Sequence, residues 1–229
     1  MIKLFAIEAA RKIRDGEITS EALVEACLTR IDDLDDVVGA WQHRDRDHAI
    51  EQARKADEIH FSGKPSGPLN GVPVAVKDII DTADMPTENG TVLHQGRCPD
   101  DDATLVALLR EAGAVILGKT VTTELAVNFP GKTTNPHDSG RTPGGSSSGS
   151  AAAVAAFMAP LAVGTQTNGS VIRPAAFCGV FGYKPSFGRI SRHGVLRQAR
   201  SLDTVGVFAR SLGDLALIAE VLMRYDDRD

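Results

Sequence analysis

Apolar residues recur at helical spacing over Ala6 to Asp15 and again over Ser20 to Leu34. Both stretches predict amphipathic helices, broken by Gly16, with Thr19 or Ser20 able to cap the second. His48 to Ile59 predicts a third helix with a mostly polar face. A turn-rich segment, GKPSGPLNG from Gly63, leads into Val72 to Lys77, an apolar run that predicts a buried strand ending in a lysine. Asp102 to Ala112 then predicts a helix and Ala114 to Leu117 a strand. Strand, helix, strand is the α/β pattern.

From Thr133 to Ser150 the chain is rich in Gly, Ser, Thr, Pro and Asn. It runs into the Ala-rich segment Ala151 to Met158, a predicted helix that Pro160 would end. Leu161 to Thr165 predicts a strand, Gln166 to Ser170 a second polar loop, and Ser211 to Arg224 a last amphipathic helix capped by Ser211. No internal repeat and no linker between domains interrupts this order.

Composition changes the picture little. The 229 residues are 42% hydrophobic and 24% charged, with a formal charge of −5, which excludes wholesale disorder, collagen and coiled coil. That mild acidity argues against a nucleic-acid binder. Three cysteines, far apart and odd in number, fit reduced thiols in a cytoplasmic compartment, with Cys178 packed rather than reactive. No apolar run reaches the roughly 18 residues of a membrane helix.

The distribution of charge is more informative. Between Asp138 and Asp203 there is no carboxylate, while Arg141, Arg173, Lys184, Arg189, Arg192, Arg197 and Arg200 make this block +7 and leave −12 on the rest. The block either pairs with the acidic remainder or sets a positive potential around an anion or a developing oxyanion.

The serine loop Gly144-Gly145-Ser146-Ser147-Ser148-Gly149-Ser150 is the first candidate for chemistry. No lysine follows its glycines as a phosphate-binding loop requires. Gly145 to Gly149 fits G-x-S-x-G, but a hydrolase elbow needs an acid and then a histidine downstream. The last histidine is His193, and no carboxylate precedes it after Gly149. Taken alone, the run reads as a flexible or helix-capping loop. A second Gly-Ser turn, Thr167-Asn168-Gly169-Ser170, lies one helix and one strand further on, and Lys77 ends the strand read as buried.

With these pieces the chain resembles the amidase signature family. The resemblance is carried by GVPVAVKDIIDTADMPT from Gly71, GRTPGGSSSGSAAAVAA from Gly140 and PLAVGTQTNGSVIRPAAFCGVFGYKPSFG from Pro160, and it extends over nearly the whole chain. It implies an α/β fold with a mixed sheet flanked by helices on both faces. In that fold, residues 1–62 would be N-terminal helices, 63–210 the catalytic core and 211–229 a C-terminal helix. It also implies that the family's usual C-terminal half is missing.

By position, Ser170 would be the nucleophile, Ser146 the serine after a cis peptide bond, and Lys77 the base. A serine hydroxyl needs a base, and a lysine serves only when neutral, which burial and nearby positive charge both favour. The backbone N–H groups of Thr167, Asn168, Gly169 and Ser170 would form the oxyanion hole, with Ser147 and Gln166 in support. The implied reaction is hydrolysis of a C–N bond other than a peptide bond, in a linear amide, through an acyl-enzyme. Neither metal nor organic cofactor is implied. The expected partner is a small amide, and a homodimer is allowed.

Three departures matter. Gln166 stands where an aspartate is usual, and Asn168 where a small residue is usual. Asn168 would either take an unusual backbone conformation or crowd the loop. Arg173 follows the nucleophile by three residues rather than two. In a malonamidase-type subset the equivalent arginine meets a substrate carboxylate, so Arg173 would select an acidic amide; the alternative is a structural ion pair. A glutaminase-type A subunit of an amidotransferase usually keeps the aspartate and the nearer arginine. The remaining alternative is a catalytically silent homologue that binds a partner.

Overall fold

The computed structural model describes residues 1–229 and contains seven α-helices, two short 3-10 helices and six strands. The N-terminal helices are α1 (Ala6–Arg14), α2 (Ser20–Val38) and α3 (Arg46–Phe61). The Thr19 side chain accepts from the Ala22 N–H at the start of α2, and Asp45 accepts from the His48 N–H at the start of α3. Helix α2 continues to Val38, where Gly39 turns left-handed and closes it.

The sheet runs β1-β3-β2-β4-β6-β5 across its width. Its centre is β2 (Pro73–Lys77), parallel to both β3 (Val115–Thr120) and β4 (Leu161–Gln166). The flanks are antiparallel: β1 (Trp41–Arg44) on β3, then β6 (Thr204–Ala209) on β4 and β5 (Phe181–Tyr183) on β6. The sheet is therefore mixed, and it is covered on both faces. On one side α2, α3 and α5 (Ser148–Ala155) pack on Ala75, Leu117, Ala162 and Phe208. On the other, α4 (Thr104–Glu111) and α7 (Leu212–Leu222) pack on Val74, Val76, Val163 and Val207. Alternation along the strands sorts the side chains between these two cores.

Four elements go beyond the sequence pattern: β1, β5, β6 and α6 (Ile172–Cys178). The first two are three or four residues long and largely exposed. Helix α6 has only seven residues, one of them Pro174. The predicted helix Ala151–Met158 is shifted: α5 starts three residues earlier and ends at Ala155. Phe157, with φ of 61°, ends it before Pro160 is reached.

One irregularity aims two lysines apart. The β2–β3 register steps from Val74↔Ile116 to Ala75↔Gly118, so Lys119 pairs with Val76 and Thr120 with Lys77. Lys77 then faces α5 and Lys119 the opposite side. Gly118 makes the step possible, with φ of 152° and no room for a side chain: a Cβ would lie 2.4 Å from the His43 carbonyl oxygen. Gly118→Ala is expected to destabilise the fold by about 2–4 kcal/mol, read as a lowered urea midpoint.

Candidate active site

The end of β2 delivers Lys77 into the protein interior. Its side chain is fully buried. Nζ donates to Ser146 Oγ at 2.7 Å and to Thr165 Oγ1, from β4, at 2.9 Å. Both acceptors are neutral hydroxyls and no carboxylate is bonded to the lysine. Burial without a counter-ion pushes its pKa down to about 7, and Asp203 pulls it partly back up. Near neutral pH a substantial fraction of Lys77 is uncharged and can accept a proton.

This differs from the expected electrostatics. No cation of the +7 block is a cause of the Lys77 shift, and five of the seven have partners elsewhere. Arg141 pairs with Asp138, while Arg192 and Arg197 pair with Asp229. Lys184 donates to the Pro185 carbonyl. Desolvation lowers the lysine, and the Asp203 carboxylate opposes it.

Ser146 follows a cis peptide bond from Gly145. The Gly145 carbonyl accepts two hydrogen bonds from Arg173, Nε at 3.1 Å and Nη2 at 2.8 Å, and the Ser146 carbonyl accepts the Thr123 N–H at 3.1 Å. The rest of the serine run fastens this loop to the sheet. Ser147 Oγ donates to the Thr165 carbonyl at 3.1 Å and accepts the Thr165 N–H at 3.2 Å. Gly164 permits that approach, since a Cβ there would lie 2.6 Å from Ser147 Oγ. Ser148 Oγ donates to Val121 O, and Ser150 Oγ to Val163 O. None of these hydroxyls caps α5: its N-cap, Ser147, makes no side-chain capping bond. The run fastens the loop to the sheet and does not cap the helix.

The second loop leaves β4 at Gln166. Gln166 Oε1 accepts the N–H groups of Val171 at 2.9 Å and Ile172 at 3.0 Å, tying down the entrance to α6. The four N–H groups before them, of Thr167, Asn168, Gly169 and Ser170, donate to nothing within the chain. Ser170 is buried, its Oγ makes no hydrogen bond, and its carbonyl accepts the Ser147 N–H at 3.4 Å. The structure thus brings Lys77 and Ser146 into direct contact and joins Ser170 to them through the backbone. The hydroxyl-to-hydroxyl link from Ser146 to Ser170 is not formed. Such links commonly tighten only with substrate in place.

Asn168 is exposed, makes no side-chain hydrogen bond and has no positive φ. It neither strains nor crowds the loop. Arg173 is exposed and makes no ion pair; two of its nitrogens hold Gly145, and Nη1 is unengaged. Cys178 is packed, its Sγ donating to Pro143 O at 3.4 Å, and burial pushes its thiol up to about 12. Asp78 accepts the Glu88 and Gly90 N–H groups, a structural role.

Three further residues belong to the site or its frame. Thr165 is the second acceptor of Lys77. Lys119 is fully buried and donates to Ile80 O, Thr82 Oγ1 and Thr87 Oγ1, fixing the segment after β2; burial pushes it down to about 8. Asp203 binds Thr167 Oγ1 at 2.6 Å. A lysine two residues beyond the apolar run that ends at Leu117 was the one readable signal for Lys119. Nothing local marks the other two.

The family model for Amidase matches residues 22–229. The chain belongs to the amidase family. A curated relative from Thermobifida fusca (strain YX), the A subunit of its glutamyl-tRNA(Gln) amidotransferase, is 46% identical over 235 aligned positions, covering 100% of this chain and 47% of the relative. Among solved amidase-family structures, the native peptide amidase of Stenotrophomonas maltophilia has a TM-score of 0.93 at 39% identity, over 99% of this chain and 49% of that one. A fatty acid amide hydrolase has a TM-score of 0.89 at 30% identity, over 95% and 40%. The chain therefore spans about half the length of the amidase relatives it matches. The α/β fold with its mixed sheet is the fold of these neighbours.

Proposed function

We propose that the chain cleaves the C–N bond of a small linear amide through an acyl-enzyme on Ser170. The observation that carries this is the fully buried Lys77, bonded to Ser146 at 2.7 Å beside a row of four unengaged N–H groups. Neutral Lys77 takes the Ser146 proton as Ser146 takes that of Ser170. Ser170 Oγ then bonds to the amide carbonyl carbon. The oxygen gains negative charge and meets the N–H groups of residues 167–170, which need not reorganise to receive it. The proton returns through Ser146 to the leaving nitrogen, and water later hydrolyses the ester.

Arg173 favours an amide that carries a carboxylate, because its Nη1 remains available for an anion. Its two other contacts give it a second task, since they hold the carbonyl next to Ser146. Arg173→Met is therefore expected to lower kcat for every amide about 10-fold and to raise KM further for acidic ones, measured by ammonia release from malonamate against an aryl amide. An equal effect on KM for both substrates removes the carboxylate role.

The likeness to an amidotransferase component favours a second reading, in which the amide is glutamine and the ammonia passes to a partner. The decisive test labels the purified chain with a fluorophosphonate, beside Ser170→Ala and Lys77→Ala. Ammonia release is then compared for malonamate, asparagine, glutamine and aryl amides. A folded chain without Ser170-dependent labelling refutes acyl transfer, and turnover confined to glutamine selects the second reading.

A further inference from the structure

Asp203 sits just ahead of β6, buried, with every oxygen of its carboxylate engaged. Oδ1 accepts from Thr167 Oγ1 at 2.6 Å. Oδ2 accepts the N–H groups of Gln198 at 2.7 Å and Ala199 at 2.8 Å. The Gln198 side chain approaches the same hydroxyl, with Oε1 2.8 Å from Thr167 Oγ1, while its Nε2 donates to Leu125 O at 2.8 Å. A threonine hydroxyl carries one proton, and the charged, closer acceptor receives it. Thr167 opens the loop whose N–H groups are unengaged, so its side chain is the handle by which that loop is gripped.

We propose that Asp203 is a positioning residue of the acyl-transfer site: one carboxylate oxygen fixes Thr167 and the oxyanion loop, and the other clamps the 198–199 backbone against it. The proposal rests on the acyl-transfer reading of Ser170. Asp203 makes no ion pair, although cations are near. Arg192 Nη1 touches its backbone carbonyl at 3.4 Å, but the guanidinium is committed to Asp229, as is that of Arg197. Lys77, on β2, feels this carboxylate, which favours its protonated form. Asp203 therefore couples the geometry of the oxyanion loop to the proton affinity of the base.

Two substitutions separate these effects. In Asp203→Asn the new Nδ2 can donate to Thr167 Oγ1, whose proton turns to Gln198 Oε1, and Oδ1 still accepts from residues 198 and 199. The loop is kept and the charge removed. In Asp203→Ala both are lost. The Lys77 midpoint is followed by NMR on ε-carbon-labelled lysine in the full chain, together with backbone order parameters of residues 167–170 and the rate of fluorophosphonate labelling. Asp203→Asn is expected to lower the Lys77 midpoint by roughly 0.5–1 pH unit, moving the acid limb of kcat/KM the same way, with the order parameters unchanged. Asp203→Ala is expected to lower the order parameters as well and to slow labelling at least about 10-fold.

Unchanged order parameters in Asp203→Ala, or an unchanged midpoint in Asp203→Asn, overturn the proposal. Failure of the wild-type chain to label at Ser170 overturns the acyl-transfer reading instead, and the two NMR readouts still decide whether Asp203 grips the loop.

Discussion

Replacing Lys77 by methionine is expected to abolish acyl transfer, by about 10³-fold or more, while making the fold more stable at pH 7 and below. The activity loss follows from the base. Ser146 and Thr165 are the lysine's only hydrogen-bond partners, and neither hydroxyl can take up the serine proton itself. The stability gain follows from burial. The folded chain holds the Lys77 proton with a pKa of about 7, against 10.5 for a free lysine. Between those values the unfolded chain binds more protons, so wild-type stability rises with pH. Below about 7 both states are protonated and the full penalty stands; above 10.5 neither is, and the penalty is gone. Methionine removes that slope. Urea midpoints of wild type and variant between about pH 6 and 10.5 check this, with a gap in favour of the variant of up to about 5 kcal/mol at the acid end, reduced by the two lost hydrogen bonds. In the wild type, kcat/KM should climb through an acid limb near pH 7 as Lys77 loses its proton.

Ser170→Ala is expected to remove covalent labelling entirely and to cut turnover by at least about 10³-fold with the fold intact. The hydroxyl takes part in no hydrogen bond, so its removal leaves no buried partner unsatisfied, and the loop stays fixed by Gln166 and the Ser170 carbonyl. Its thermal midpoint should match the wild type. Ser146→Ala differs in kind, because it breaks the bond to Lys77 and leaves that amine with Thr165 alone. Equal turnover by Ser170→Ala and wild type, measured by ammonia release, places the nucleophile elsewhere.

Much of the architecture was legible in residue order. The 3.6-residue pattern announced α1 to α4 and α7, and apolar runs bounded by turns announced β2, β3 and β4. Both serine loops stood out by composition. The elements that carry little local signal do so for physical reasons. The three-residue strand β5 is largely exposed at a sheet edge, and α6 is ordered by Gln166 and its neighbours rather than by its own propensity. The start of α5 was set by contacts of Ser148 to Val121, just past β3, and of Ser150 to Val163 within β4, not by the alanine run.

The sequence by itself determined the family and the α/β class, and it singled out the lysine and serines proposed here for amide chemistry. Only the tertiary structure decided how that chemistry is tuned. Charge along the chain left open whether the positive block pairs with the acidic remainder or sets a potential around the site. In three dimensions Arg141, Arg192, Arg197 and Arg173 turn to Asp138, Asp229 and the Gly145 carbonyl, and burial lowers the lysine against the pull of Asp203. Electrostatic energy depends on distance through space and on exclusion of water, and neither is written in the order of residues. For the same reason Arg173 emerged as a holder of Gly145, and Asp203, 33 residues after Ser170, as the acid that holds Thr167.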